Sequence, residues 1–174
     1  MQIRESVEND KDTIRIVHQN AFGGSEGEAV SQLAIDLLED KTAHPILSLV
    51  AEQNNEIIGN VIFSPVNIEG FKGVSAYILA PLAVIKDNQG KGIGTKLIYR
   101  GIDTLKKRGA EIVLVLGDPN YYTRTGFKAG HNLESPYKLE YPEAWMAQEL
   151  VEGVLAKTQG MVQCALSLNS PEYW

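Results

Sequence analysis

Residues 89–95 read Gln-Gly-Lys-Gly-Ile-Gly-Thr, and an amphipathic run begins inside them. Glycines alternating with Lys91 and Ile93 leave the main chain bare, so it can approach a ligand closely and take dihedrals closed to other residues. The first turn of a helix carries N–H groups with no intrahelical acceptor, and the helix dipole puts positive charge there. Together these features suit an anion, above all a diphosphate. Covalent catalysis has no support, since G-x-S-x-G is missing and Cys164 has no evident His partner. His18, His44 and His131 are scattered without metal-ligand spacing.

Three phosphate-binding patterns compete for the glycine loop. A Walker A loop, G-x-x-x-x-G-K-[ST], fails at both ends: Ile85 stands where its first glycine should be, and Gly92 follows Lys91. The dinucleotide fingerprint G-x-G-x-x-G matches Gly90 and Gly92, but Thr95 occupies its third glycine position. The acyl-coenzyme A loop, Q/R-x-x-G-x-G/A, takes Gln89, Gly92 and Gly94 without adjustment. A turn with no ligand does not need three glycines.

The elements that must position these groups follow from periodicity. Residues 1–7 alternate weakly as a first strand. Ile14, Val17 and Ala21 share one helical face, the stretch Phe-Gly-Gly-Ser-Glu-Gly-Glu breaks that helix, and Val30, Leu33, Ala34, Leu37 and Leu38 mark a second. Residues 46–66 read as two strands around the turn Gln53-Asn54-Asn55, an antiparallel hairpin. Residues 74–85 form a strand apolar enough to be buried on both faces, with Pro81 inside it. Proline gives no donor to a ladder, so Pro81 marks a bulge or a departure from the neighbouring strand.

Ile93, Leu97, Ile98, Gly101, Ile102 and Leu105 make the apolar stripe of the best-defined helix, with Lys106, Lys107 and Arg108 in its last turn. Residues 111–116 are a buried strand, and a strand–helix–strand crossover predicts a parallel, right-handed pair. Asp118-Pro119 reads as turn chemistry. Residues 127–130 predict a brief strand, residues 142–155 a late helix begun by Pro142, and residues 160–168 a last strand. The expected fold class is α/β (α+β), a mixed, mostly antiparallel sheet with one parallel pair.

The 174 residues suit one domain, 1–174, with one core. A formal net charge of −6 argues against nucleic acid as a partner, which selects a basic surface. No apolar run is long enough to span a bilayer, and residues 1–10 lack the basic and apolar regions of a signal peptide, so a cytoplasmic protein with no membrane partner is expected. The single cysteine, Cys164, excludes an intrachain disulfide and a thiolate zinc cluster, and its apolar surroundings predict a buried structural thiol.

The segment Pro81–Ile98 resembles motif A of the GNAT acetyltransferase superfamily, and Val115–Phe127, ending in Y-x-x-x-G-F, resembles the second part of the same signature. Residues 49–66 are similar to that family's central hairpin. The order of elements agrees along the whole chain, and the ending looks closest to a bacterial subgroup of that superfamily.

The resemblance implies helices on both faces of the sheet, a splay between the fourth and fifth strands, and acetyl-CoA as cosubstrate. Main-chain amides of Gln89, Gly90, Lys91, Gly92, Ile93, Gly94 and Thr95 would hold its diphosphate, with Lys91, Lys96 or Arg100 as candidates for the ribose phosphate. The pantetheine arm would pair with Leu82, Ala83 and Val84, and the Leu82 N–H would face the thioester oxygen. Tyr122 takes the family's position for the acid that protonates the leaving thiolate, with Tyr121 as its neighbouring alternative.

The implied reaction is direct acetyl transfer to an amine, on a small molecule or a protein. Its acceptor pocket would be built from residues 21–29 and the region of Tyr137, Tyr141 and Trp145. A base or a water chain must take the amine's proton and the sequence singles out none; the strand alternation of Glu52 could aim it at the cleft, although a surface role beside the turn is the simpler expectation. Dimerisation is common in such folds and has no direct sign here. The same fold could also sense acyl-CoA without turnover, in which case it would need no positioned acid.

Overall fold

A computed structural model describes residues Met1–Trp174. Strand β1 (Gln2–Glu5) pairs antiparallel with β2 (Leu47–Gln53), which turns through Asn54 and Asn55 into β3 (Glu56–Ile68). Both asparagines have positive φ, 53° and 64°, the pair of left-handed residues that a tight hairpin turn requires. Strand β4 (Ala76–Val84) lies antiparallel to β3, and β5 (Ile112–Leu116) lies parallel to β4 across helix α3 (Ile93–Lys107). The main sheet ends at β7 (Trp145–Glu149), giving the order β1-β2-β3-β4-β5-β7.

Helices α1 (Lys11–Phe22) and α2 (Gly24–Glu39) cover one face, where Ile14, Leu33, Ala34 and Leu37 pack with Val50, Ile62, Ile78 and Leu114. The break between them is narrower than the sequence suggests. It rests on Gly23 and Gly24, with φ of 71° and 54°, and α2 is already under way at Gly24. Helix α3 covers the other face, where Ile93, Leu97, Ile98 and Leu105 meet Val61, Phe63, Val113 and Val115. Gly101 sits directly against the Phe63 ring, leaving no room for a side chain.

The late segments depart most from expectation. Residues 145–149 are not helix: they form β7, antiparallel to β5, with only a one-turn 3-10 helix at Pro142–Ala144 before it and helix α5 (Val154–Lys157) after it. Helix propensity favours the stretch, but β5 has an edge to cover and Trp145, Met146 and Ala147 are buried there. The brief strand expected at 127–130 reduces to one bridge, Lys128 to Ala147. The last strand, β8 (Gly160–Gln163), is shorter than expected and pairs with the end of β3 and with the two-residue β6 (Leu133–Glu134), outside the main path. Cys164 is half-buried and its thiol is raised by burial, so nothing activates it. Trp174 packs edge-on to Trp145 at 5.4 Å and donates to Leu168 O at 3.0 Å.

A buried polar chain fastens α1 to the hairpin. Asn60 Nδ2 donates to Leu49 O at 2.9 Å and Ser48 Oγ at 3.1 Å, so its Oδ1 must accept from His18 Nε2 at 2.8 Å. His18 is fully buried, its Nδ1 has no partner, and desolvation lowers its pKa from 6.5 to about 4. The folded imidazole therefore resists protonation that the unfolded one accepts. The resulting stability is fully present above pH 6.5 and is lost as pH falls towards about 4. Between pH 6.5 and 5 this amounts to about 2 kcal/mol. Urea unfolding at pH 7 and pH 5 checks it. Wild type should lose about that much more than His18→Gln, and equal losses would contradict the assignment.

Candidate active site

The glycine loop is built to expose its amides. Gly90 and Gly92 take φ of 74° and 79°, and Gly92 is the N-cap of α3. None of the six successive main-chain N–H groups from Gly90 to Thr95 donates to a protein acceptor; the first helical bond is Lys96 N to Gly92 O, 3.1 Å. Side chains tie the loop down around them. Gln89 Nε2 donates to Val84 O at 2.8 Å, Lys91 Nζ to Asp87 O at 2.9 Å, and Lys86 N to Asn20 Oδ1 on α1 at 2.8 Å.

Beside the loop the sheet forks. Strand β4 pairs with β5 only from Ala76 to Leu79, while its last residues stay paired with β3 alone. Val61 and Phe63 face Leu82 and Leu79, so Ala80-Pro81 contributes one extra residue, the bulge that Pro81 foreshadows. Ile85 N donates to Ile58 O at 3.0 Å. Antiparallel alternation then turns Ala83 towards β3 and leaves the main-chain groups of Leu82 and Val84 on the open side, where Val84 O accepts Gln89. Ala83 therefore contributes little main-chain pairing to the fork, unlike its two neighbours.

The tyrosines stand at the far wall. Asp118 caps the short helix α4 (Pro119–Tyr122), its Oδ1 accepting Asn120 N at 2.9 Å, which is the turn chemistry expected of Asp118-Pro119. Tyr121 and Tyr122 meet edge to face at 5.0 Å, and Tyr122 stacks edge-on to Phe127 at 5.8 Å. Gly117 makes room for the Tyr122 ring, and Gly94 for the Tyr121 hydroxyl. Desolvation, then the neighbouring Tyr121, push the Tyr122 pKa well above that of an ordinary phenol, so the group stays protonated at neutral pH. Its hydroxyl has no hydrogen-bond partner within the protein and opens on the cleft.

Loop, fork and tyrosines enclose one cleft of about 590 Å³. Of the residues singled out from sequence, Leu82, Ala83, Val84, Gln89, Gly90, Gly92, Ile93, Gly94, Thr95 and Tyr122 line it. Lys91 does not, because its side chain is folded back onto Asp87. Lys96 and Arg100 point to solvent elsewhere on α3. Ala21 and Phe22, at the α1–α2 corner, close the cleft on the side where an acceptor was expected. Tyr137, Tyr141 and Trp145 do not reach it, Trp145 being buried against Trp174. Glu52 is bound to Arg4 at 3.0 Å, in a network with Asp10, on the other side of α1. Arg124, which no local pattern in the sequence marks, lines the wall beside Tyr121. No carboxylate or imidazole lines the cleft.

Residues 12–127 match the family model described as the Acetyltransferase (GNAT) family. The chain belongs to the GNAT acetyltransferase family. Among GNAT relatives, it is 37% identical over 163 residues to the uncharacterized N-acetyltransferase YjhQ of Escherichia coli K12, covering 90% of this chain and 88% of YjhQ. It is 33% identical over 169 residues to the uncharacterized N-acetyltransferase YhbS of the same strain, covering 94% and 95%. The crystal structure of the GNAT protein YhbS in complex with CoA superimposes with a TM-score of 0.88 at 31% identity, covering 98% of this chain and 92% of YhbS. A GNAT acetyltransferase from Brucella melitensis in complex with acetyl-CoA gives 0.78 at 30% identity, covering 97% of both chains. As in the GNAT resemblance, the main path of the sheet has one parallel pair, β4–β5, with helices on both faces; off that path the short β6 and β8 also run parallel.

Proposed function

We propose that the chain transfers an acetyl group directly from acetyl-CoA to a primary amine. The observation that carries the reading is the run of six unpartnered amides at the N-terminus of α3, opening onto a fork in the sheet. The amides and the helix dipole favour the diphosphate. The pantetheine arm lies along the open side of β4 as an added strand would, using the outward main-chain groups of Leu82 and the N–H of Val84, whose carbonyl is held by Gln89. The CoA-bound YhbS and acetyl-CoA-bound Brucella structures support the same ligand class.

In the transfer, the amine nitrogen attacks the thioester carbon and a tetrahedral intermediate forms. The Leu82 N–H stabilises its oxyanion, a type of contribution worth roughly 3–4 kcal/mol in other enzymes. The C–S bond then breaks, and Tyr122 gives its proton to the departing sulfur. A thiol pKa of about 8.5 makes that proton a moderate requirement, and the burial that raises Tyr122 raises the thiol alike. The attacking amine must be neutral, and an alkyl amine with a pKa near 10.4 is free only to about one part in a thousand at pH 7. With no base lining the cleft, its proton leaves through water to bulk solvent.

Two measurements test the reading. Acetyl-CoA should raise the melting temperature by mass action while ATP and NAD do not. Incubation with acetyl-CoA and mixed amines, followed by mass spectrometry, should show products heavier by one acetyl group. No melting shift would overturn the cosubstrate. A shift with no product from any amine would make the chain a sensor of acyl-CoA instead.

A further inference from the structure

A cosubstrate bearing a diphosphate and a ribose phosphate brings several negative charges into a cleft of an acidic protein. Bare amides answer part of that charge. Among the side chains that line the cleft, Arg124 alone is charged. Its position is built rather than incidental. Arg124 Nε donates to Asn120 O at 3.0 Å, its own carbonyl accepts Tyr99 Oη at 3.1 Å, and its guanidinium lies 5.7 Å from the centre of the Tyr121 ring. These contacts use one of the guanidinium nitrogens. The two terminal nitrogens have no protein partner, and no carboxylate pairs with them, whereas Arg4 and Arg108 are each held by acidic residues. Of the other basic side chains near the loop, Lys91 is folded back onto Asp87 O, and Lys86, Lys96 and Arg100 do not line the cleft.

We propose that Arg124 is the side chain that binds a phosphate of acetyl-CoA, its terminal nitrogens facing the phosphate from across the cleft while the loop amides hold the other side. A guanidinium with two free donors matches phosphate geometry, and stacking on Tyr121 limits the entropy lost on binding. Because Arg124 belongs to the same short turn as Tyr122, phosphate capture also steadies the segment that carries the proton donor.

The inference rests on the acetyl-CoA reading above, and the test separates the two. Isothermal titration measures CoA and dephospho-CoA, which lacks the ribose phosphate, against wild type, Arg124→Gln and Arg124→Lys. Arg124→Gln should weaken CoA binding by about ten- to a hundredfold, the range for a charge-assisted contact. Arg124→Lys should recover part of that loss, which a merely structural role would not allow, since lysine makes neither the Asn120 bond nor the planar stack. A loss equal for both ligands places Arg124 on the diphosphate, and a loss confined to CoA places it on the ribose phosphate; either supports the proposal. Arg124→Gln binding both ligands within about twofold of wild type would overturn it while leaving the cosubstrate reading intact. So would a lysine variant as weak as the glutamine one. Wild type that binds neither ligand would overturn both.

Discussion

Tyr122→Phe is expected to lower kcat about a hundredfold while leaving the Kd for acetyl-CoA within about twofold of wild type. The ring keeps its packing against Gly117, Phe127 and Tyr121, so the change removes only the hydroxyl. That hydroxyl has no partner in the protein to lose, and the fold should keep its stability. What disappears is the proton for the departing thiolate, an interaction made as the C–S bond breaks. Steady-state kinetics and titration together check this. An unchanged kcat would remove Tyr122 from the mechanism, and the neighbouring Tyr121, whose hydroxyl lies against Gly94, would be the next candidate. Loss of affinity with unchanged turnover would make Tyr122 a wall of the cleft and not a donor.

Gly92→Val should weaken acetyl-CoA binding by at least about a hundredfold. The site has open space, since a Cβ there would meet nothing within 4 Å, so no collision drives the effect. The cause is φ at 79°, which a β-branched residue takes only under strain of roughly 1–2 kcal/mol. The loop escapes by rotating away from that conformation, and the amides around Gly92 then no longer converge. Losing two contacts to a charged ligand, each worth about 1.5–3 kcal/mol, gives the stated factor. Gly92→Asn should lose much less, because asparagine visits the left-handed region more readily. Titration of both variants, with melting curves to show that each is folded, decides the point; equal affinities would mean that the amides do not hold the ligand.

The parts of this architecture that could be read from sequence are those whose cause is local. Asn54-Asn55 announces a hairpin because two successive residues must take positive φ. Pro81 announces a bulge because it removes a donor, and the stripe from Ile93 to Leu105 announces a helix because its period matches one face. The glycine loop is legible for the same reason. Strand β7 is not, because Met146, Ala147, Gln148 and Glu149 favour helix by themselves, and only the uncovered edge of β5 makes them a strand. The surface role of Glu52 is the simpler expectation from sequence, but its ion pair with Arg4, distant in the chain, has no local signal. Lys91 looks like a phosphate ligand by proximity, yet a neighbouring carbonyl takes its ammonium. Arg124 is invisible in sequence because its significance is relational: it is the cation left without a carboxylate at the wall of a cleft that has no other charge.

The most direct test of the central claim is a crystal structure with acetyl-CoA bound. The diphosphate oxygens should lie within hydrogen-bond reach of main-chain amides between Gly90 and Thr95. The thioester should sit in the fork beside Leu82, with its sulfur near Tyr122 Oη. A diphosphate held elsewhere on the surface, or a fork closed to the pantetheine arm, would contradict the account.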